Sequence, residues 1–222
     1  MHINSYLVKH LQLSHQQIKS DIAAGIVFID DEMAKQKQKI GPVNTIKYKQ
    51  QIIQEGKKLF YYAYHKPAGV ESTLNLNIPN NLVAATGIKD YFFPIGRLDK
   101  ASEGLMILTN DGNLYQHITE HENNIEKKYL VETNQLIDDD FIERMTNGIE
   151  IMGKKNKPCR MEKVNAKTFL ITLVEGKNRQ IRRMCYKLGY EVVMLKRIAI
   201  GKLNLEDLLP CSIQHISKSE II

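Results

Sequence analysis

The sequence predicts an α+β protein in two parts, a small N-terminal module and a larger domain on a mixed, largely antiparallel sheet flanked by helices. Three observations carry this. After residue 59, helical and strand patterns are interspersed without the regular strand–helix–strand alternation of a doubly wound parallel sheet. A polar stretch over 50–58 parts a helix–helix–strand–turn–strand pattern from the rest. Neither a Gly-x-Gly-x-x-Gly fingerprint nor a Walker-type loop is present, so no nucleotide cofactor is indicated. A chain of 222 residues holds one core of ordinary size plus a small accessory domain.

In order along the chain, Tyr6, Leu7, His10 and Leu11 recur at helical spacing. Ser14 then offers an N-cap for a second helix that runs through Gln17 and Ile18 to Ala24 and is stopped by Gly25. Residues 26–29 read as a short strand, Asp30, Asp31 and Glu32 as an acidic turn, and 45–48 as a second strand. This assigns 1–50 to the module, 50–58 to a linker and 59–222 to the larger domain. There, strands are expected at 59–64, 92–98, 105–109, 128–132 and 169–173, and helices near 114–119, 138–146 and 180–188. The last helix gathers Ile181, Met184, Cys185 and Leu188 on one face, which is core spacing, and leaves Arg182, Arg183 and Lys187 on the other.

Composition narrows the function classes. The three cysteines, Cys159, Cys185 and Cys211, are widely spaced and odd in number, which argues against a disulfide framework or a thiolate metal site and fits a reducing compartment. No apolar run is long enough to span a bilayer, and residues 1–5 lack the basic and apolar regions of a secretory signal, so the expected location is the cytoplasm. The formal charge is +6. Between Glu175 and Lys202 stand eight basic residues against two acidic ones, an excess equal to the net charge of the whole chain. Such a run is a solvated helix face or a phosphate contact, and charge alone does not choose. The seven histidines show no spaced pair resembling a zinc site.

The densest segment is 93–112. Two apolar runs flank a short polar loop in which Asp99 follows the first strand, and Gly96 and Gly104 permit sharp turns or close approach to a ligand. Taken by itself this is an ordinary β-turn, since Asp, Ser and Gly are turn residues. The wider pattern says more. Gly96-Arg97-Leu98-Asp99 closely resembles the signature of the pseudouridine synthases, in the branch that includes the ribosomal small-subunit enzyme A and the large-subunit enzymes B, E and F. Three further segments agree with that family in order: Lys66-Pro67-Ala68-Gly69, Lys128-Tyr129-Leu130-Val131, and Glu175-Gly176-Lys177-Asn178-Arg179-Gln180-Ile181-Arg182-Arg183-Met184. The stretch from Asn178 to Val192 resembles the F subgroup in particular. Residues 1–50 resemble the S4 RNA-binding module that precedes the catalytic domain in this branch. Their turn is Asp30-Asp31-Glu32, acids that repel phosphate, where such modules usually carry Asn-Gly or Asp-Gly.

The resemblance implies isomerisation of uridine to pseudouridine in structured RNA: the bond from ribose C1′ to N1 breaks, uracil turns, and C5 joins C1′. Asp99 matches the family's carboxylate, whether it attacks the sugar, removes a proton at C2′ or adds to uracil C6. Arg179 matches the cation that pairs with it, a planar group able to bind a carboxylate through two hydrogen bonds. Tyr129 matches the tyrosine that packs on uracil and takes the C5 proton. Arg97 matches an arginine that helps hold the flipped nucleotide, while Lys66, Lys128, Ile181, Arg182 and Arg183 are placed with it among the substrate-binding residues, the last two as phosphate contacts. The implied partner is RNA, ribosomal or the anticodon arm of a tRNA, met by a monomer with neither metal nor organic cofactor. Two rival classes remain: a non-catalytic RNA binder on the same scaffold, which needs only the basic face, and a glycosidase with paired carboxylates, for which Glu103 would be the second acid.

Overall fold

In the computed structural model, which describes residues 1–222 with the side chain of His121 excepted, the chain divides between Leu59 and Phe60 into two units. In the first, α1 (Ile3–Leu11) and α2 (His15–Ala23) pack with a sheet of order β2-β1-β3-β4, formed by β1 (Val27–Ile29), β2 (Glu32–Met33), β3 (Ile46–Tyr48) and β4 (Gln51–Gln54). Ser14 Oγ accepts the Gln17 N–H at 3.1 Å, capping α2, and Gly25 ends it at φ +68. Ile3, Leu7, Ile18, Val27 and Ile46 form the fully buried centre of this unit's core. The acidic turn folds with both Asp30 and Asp31 at positive φ, tied by the Asp30 carboxylate to Thr45 N–H and Asn44 and by Asp31 to Lys47.

The boundary corrects the sequence reading. Residues 50–58 are not a free linker, because 51–54 are β4 of the N-terminal sheet, joined to β3 by a tight turn at Lys49 and Gln50, both at positive φ. Such a turn normally advertises itself through Gly or Asn; here Lys-Gln takes it and the polar composition reads as a connection.

The second unit is built on a sheet of order β11-β12-β8-β13-β7-β5-β15, with β14 paired to β13 and β6 to β7. Its strands are β5 (Tyr61–Lys66), β6 (Phe93–Ile95), β7 (Glu103–Thr109), β8 (Lys127–Thr133), β11 (Arg160–Lys163), β12 (Thr168–Leu173), β13 (Val192–Ile200), β14 (Leu203–Asn204) and β15 (Ile213–His215). A separate hairpin joins β9 (Glu150–Ile151) to β10 (Lys154–Lys155), and the helices are α3 (Leu82–Thr86), α4 (Gly112–Thr119), α5 (Asp139–Thr146) and α6 (Gln180–Lys187). Every pairing in the main sheet is antiparallel except β7 with β13. A mixed, largely antiparallel sheet flanked by helices is thus the architecture. No helix among the described residues is long and apolar enough to cross a membrane.

β13, nine residues long and central in the sheet, escaped the sequence reading because Lys196 and Arg197 interrupt its apolar run within the basic segment. It joins the two halves of the sheet. Phe169 and Ile171 of β12 and Val131 of β8 pack in one core with Phe141 and Met145 of α5 and Ile181, Met184 and Cys185 of α6. A second cluster gathers Tyr64, Leu82, Phe92, Leu98, Met106 and Leu108. Tyr129 on β8 packs against both clusters.

Candidate active site

β6 stops at Ile95, short of the expected 98, because Gly96 takes φ +73, a conformation open to a residue without Cβ. The chain then leaves the sheet and is pinned on both sides of Asp99. Ser72 Oγ donates to the Leu98 carbonyl at 2.7 Å and accepts the Leu98 N–H at 3.1 Å. Gly69 N–H donates to Lys100 O at 2.7 Å, and Ser102 N–H to Asp99 O at 3.0 Å. Lys100 and Glu71 pair at 3.2 Å. Ser72 is buried and two-sided in its bonding, so it fixes the loop as a backbone group would. Nothing in the sequence singles it out, since a lone serine after a strand is unremarkable.

Arg179 arrives from a second rigid element. It is the N-cap of α6, in the left-handed region at φ 51 and ψ 33. The preceding loop is braced by Glu175, which is buried, accepts from Gln180 Nε2 at 2.6 Å and pairs with Lys177 at 3.2 Å. From there the Arg179 guanidinium reaches Asp99 across 80 positions of sequence, Nη1 to Oδ2 at 3.4 Å. Contact is through one nitrogen, not the two that the planar group allows. Arg182 Nε stands 3.8 Å from the same oxygen.

These groups line one hollow, with Arg97, Leu98, Asp99, Ser102, Tyr129, Arg179 and Ile181 in its wall. Asp99 retains 29 % side-chain exposure there and Arg179 50 %, so the pair is reachable from solvent. Tyr129 is presented by β8 between Ile171 of β12 and Arg197 of β13. Of the other carboxylates, Glu175 reaches the hollow with its oxygens already bound to Gln180, Lys177 and the Lys157 N–H.

The remaining expected residues do not line this hollow. Lys128 lines a separate groove with Glu126 and Arg160, because neighbours in a strand point to opposite faces and Tyr129 takes the hollow. Lys66 is fully buried and donates to the Pro67 and Val70 carbonyls at 2.8 and 2.7 Å, which leaves it no route to a ligand. Burial lowers its pKa to about 8, against the raising influence of Glu103 and Asp99, while Arg197 lowers it further. Arg182 is engaged within the fold while also lining a concavity with Arg183: its guanidinium donates to Val192 O at 2.9 Å and to Ala101 O and Ser102 Oγ at 3.3 Å. Burial, then the neighbouring Arg179, pushes its pKa down. Arg183 donates to Asn178 Oδ1 at 3.0 Å and lines a different concavity, shared with Arg179, Arg182, Tyr186 and Lys187. Unforeseen from sequence is Arg197, buried, its Nε donating to Leu105 O at 2.7 Å beneath Gly96 and Gly104. Among the described residues no group of three or more His, Cys, Asp or Glu could hold a metal ion.

The mixed sheet brings the Asp99 carboxylate, the Arg179 guanidinium and the Tyr129 ring into a single recess beside a basic helix, an arrangement suited to an RNA-modifying isomerase. The chain belongs to the RNA pseudouridylate synthase family, which it matches over residues 60–187. It is 36 % identical to the dual-specificity RNA pseudouridine synthase RluF of Escherichia coli, over 99 % of this chain and 77 % of that protein. It is 30 % identical to the RNA pseudouridine synthase YtzG of Bacillus subtilis, over 94 % and 91 % of the two chains, and 28 % identical to the ribosomal small subunit pseudouridine synthase A of Vibrio cholerae, over 100 % and 98 %. Among solved structures, a crystal structure of a pseudouridylate synthase superposes with a TM-score of 0.68 at 26 % identity, covering 100 % of this chain and 98 % of that one.

Proposed function

We propose that this chain converts a specific uridine of 23S ribosomal RNA to pseudouridine in the cytoplasm, as a monomer, with Asp99 as its essential carboxylate. The observation that carries the assignment is the pairing of Asp99 with Arg179 at 3.4 Å in a hollow that also holds Tyr129 and Ile181. In the reaction the C1′–N1 bond breaks, C1′ bonds C5, the C5 proton is lost, and N1 regains a proton, so the sum is an isomerisation with no net redox change. Asp99 acts on the sugar or on uracil C6, Arg179 holds its charge in place, and Tyr129 packs on the base and accepts the C5 proton. Arg97 and Ile181 hold the extruded nucleotide. The N-terminal unit serves as an S4-like RNA-binding module, a reading supported by its two helices packed on a small sheet. Ribosomal RNA of the large subunit is favoured over small-subunit RNA or a tRNA arm by the agreement through Asn178–Val192.

The test uses RNA carrying tritium at uridine C5. The enzyme releases label to water, and Asp99→Asn abolishes release while RNA affinity stays within about tenfold, roughly 1.4 kcal/mol, because phosphate contacts dominate binding. Measurable turnover by the Asn variant refutes the assignment. Mapping pseudouridines in a strain lacking the protein identifies the nucleotide.

A further inference from the structure

Arg97 lines two concavities. One is the Asp99 hollow, and the other is a groove of about 410 Å³ walled by Tyr91, Phe93, Pro94, Gly96 and Tyr115. This groove has a different character. Its three aromatic rings form an edge-to-face run, with Tyr91 and Phe93 centroids 6.2 Å apart at 64° and Phe93 and Tyr115 5.6 Å apart at 87°. Tyr91 is 76 % exposed and Tyr115 42 %. The core does not require them, since their chain neighbours Phe92 and Leu114 are the buried ones. Grouped, exposed rings beside a functional recess mark a contact surface, whereas scattered ones mean little.

We propose that this groove is a stacking subsite for an unpaired base adjoining the uridine that enters the Asp99 hollow. The inference rests on the RNA isomerase reading and deepens it. Extruding a nucleotide strips its neighbours of stacking partners, and exposed aromatic rings with an arginine at their edge are the surface on which unpaired bases restack. A base suits the groove better than a peptide, for two reasons. The rings offer flat apolar faces without any lining carboxylate, and the one lining cation, Arg97, is shared with the hollow, so a single polyanionic strand can run through both. The volume lies within the roughly 300–1,000 Å³ of small-ligand sites.

The test measures fluorescence anisotropy of a dye-labelled uridine octamer and of an abasic ribose-phosphate octamer. The Tyr91→Ala/Tyr115→Ala variant is expected to bind the uridine octamer about tenfold more weakly or worse, and the abasic octamer within about twofold of wild type, since stacking needs a base. Tyr91→Phe/Tyr115→Phe keeps the rings and is expected to keep the affinity. Unchanged affinity of the Ala pair for the uridine octamer, or equal weakening toward both octamers, overturns the subsite. Tritium release is read in parallel on wild type: release without base-dependent loss sinks the groove alone, whereas base-dependent loss without release leaves the groove standing and sinks the isomerase.

Discussion

Arg179 meets Asp99 through one nitrogen at 3.4 Å from a backbone held at positive φ, so the pairing depends on where the loop puts the guanidinium as much as on its charge. A lysine there is a point charge on a more flexible stem and lacks the fixed fork. Arg179→Lys is therefore expected to cut single-turnover isomerisation by roughly 10–100-fold, the worth of a charge-assisted hydrogen bond of about 1.5–3 kcal/mol, with RNA affinity little changed. A rate within twofold of wild type would show that the fork is idle. Arg182 and Arg183, adjacent in sequence and indistinguishable as charges, line one concavity and differ in what they bond. Arg182→Gln loosens the bonds to Ala101, Ser102 and Val192 and should lower both the thermal midpoint and turnover, whereas Arg183→Gln should weaken RNA binding and leave the midpoint within about 2 °C. Equal effects of the two would sink the distinction. Motif order groups Asp99, Tyr129, Arg179, Ile181 and Arg97, and the fold brings those five to one hollow. Motif order could not separate Lys128 from Tyr129, because sidedness comes from a strand pleat that composition does not encode.

At the scale of elements, the site depends on a crossing that the sequence conceals. β7 and β13 are the one parallel pair of the main sheet, and they meet where Gly104 lies against Arg197. A Cβ on Gly104 would stand 2.3 Å from the Arg197 carbonyl oxygen and 2.5 Å from its nitrogen, and φ is +110, where side chains are rarely accommodated. Gly104→Ala should cost about 3 kcal/mol in strain and overlap and lower the thermal midpoint by roughly 6–12 °C. Gly112→Ala is the control: its Cβ meets open space at the start of α4, and the midpoint should not fall. Calorimetry on both variants decides, and parity between them would mean that the crossing yields at little cost. Gly104 is conspicuous in the sequence only as a loop residue beside Asp99. Its structural task needs β13, and that strand is hidden by Lys196 and Arg197, the second of which is buried and bonded to Leu105 O within the sheet. Elements with clear periodicity, such as α5, α6, β8 and β12, were legible within a residue or two; those whose apolar pattern is broken by a functional or structural cation were not.

The whole catalytic unit carries its buried ionisable groups as a pH signature. Burial lowers Lys66 and Lys127 to about 8 from an ordinary 10.5, so between those values the unfolded chain binds protons that the folded one has released, and stability rises with pH. Burial raises Cys159 to about 11 and Cys185 to about 12 from 9.0, and Tyr61 and Tyr64 to about 12 from 10.0. These hold protons that the unfolded chain loses, so they take stability away above pH 9 and pH 10 respectively. The two sets oppose each other from 9 to 10.5, which leaves one window for each sign. The thermal midpoint should climb from pH 8 to 9, flatten, and fall above about 10.5, when the lysines are neutral in both states and only the thiols and phenols still titrate differently. Lys66→Met removes one of the two rising contributions, so its climb from pH 8 to 9 should be the smaller. A midpoint that declines from pH 8 onward, in wild type and variant alike, would mean that burial does not lower Lys66 and Lys127 as their surroundings require.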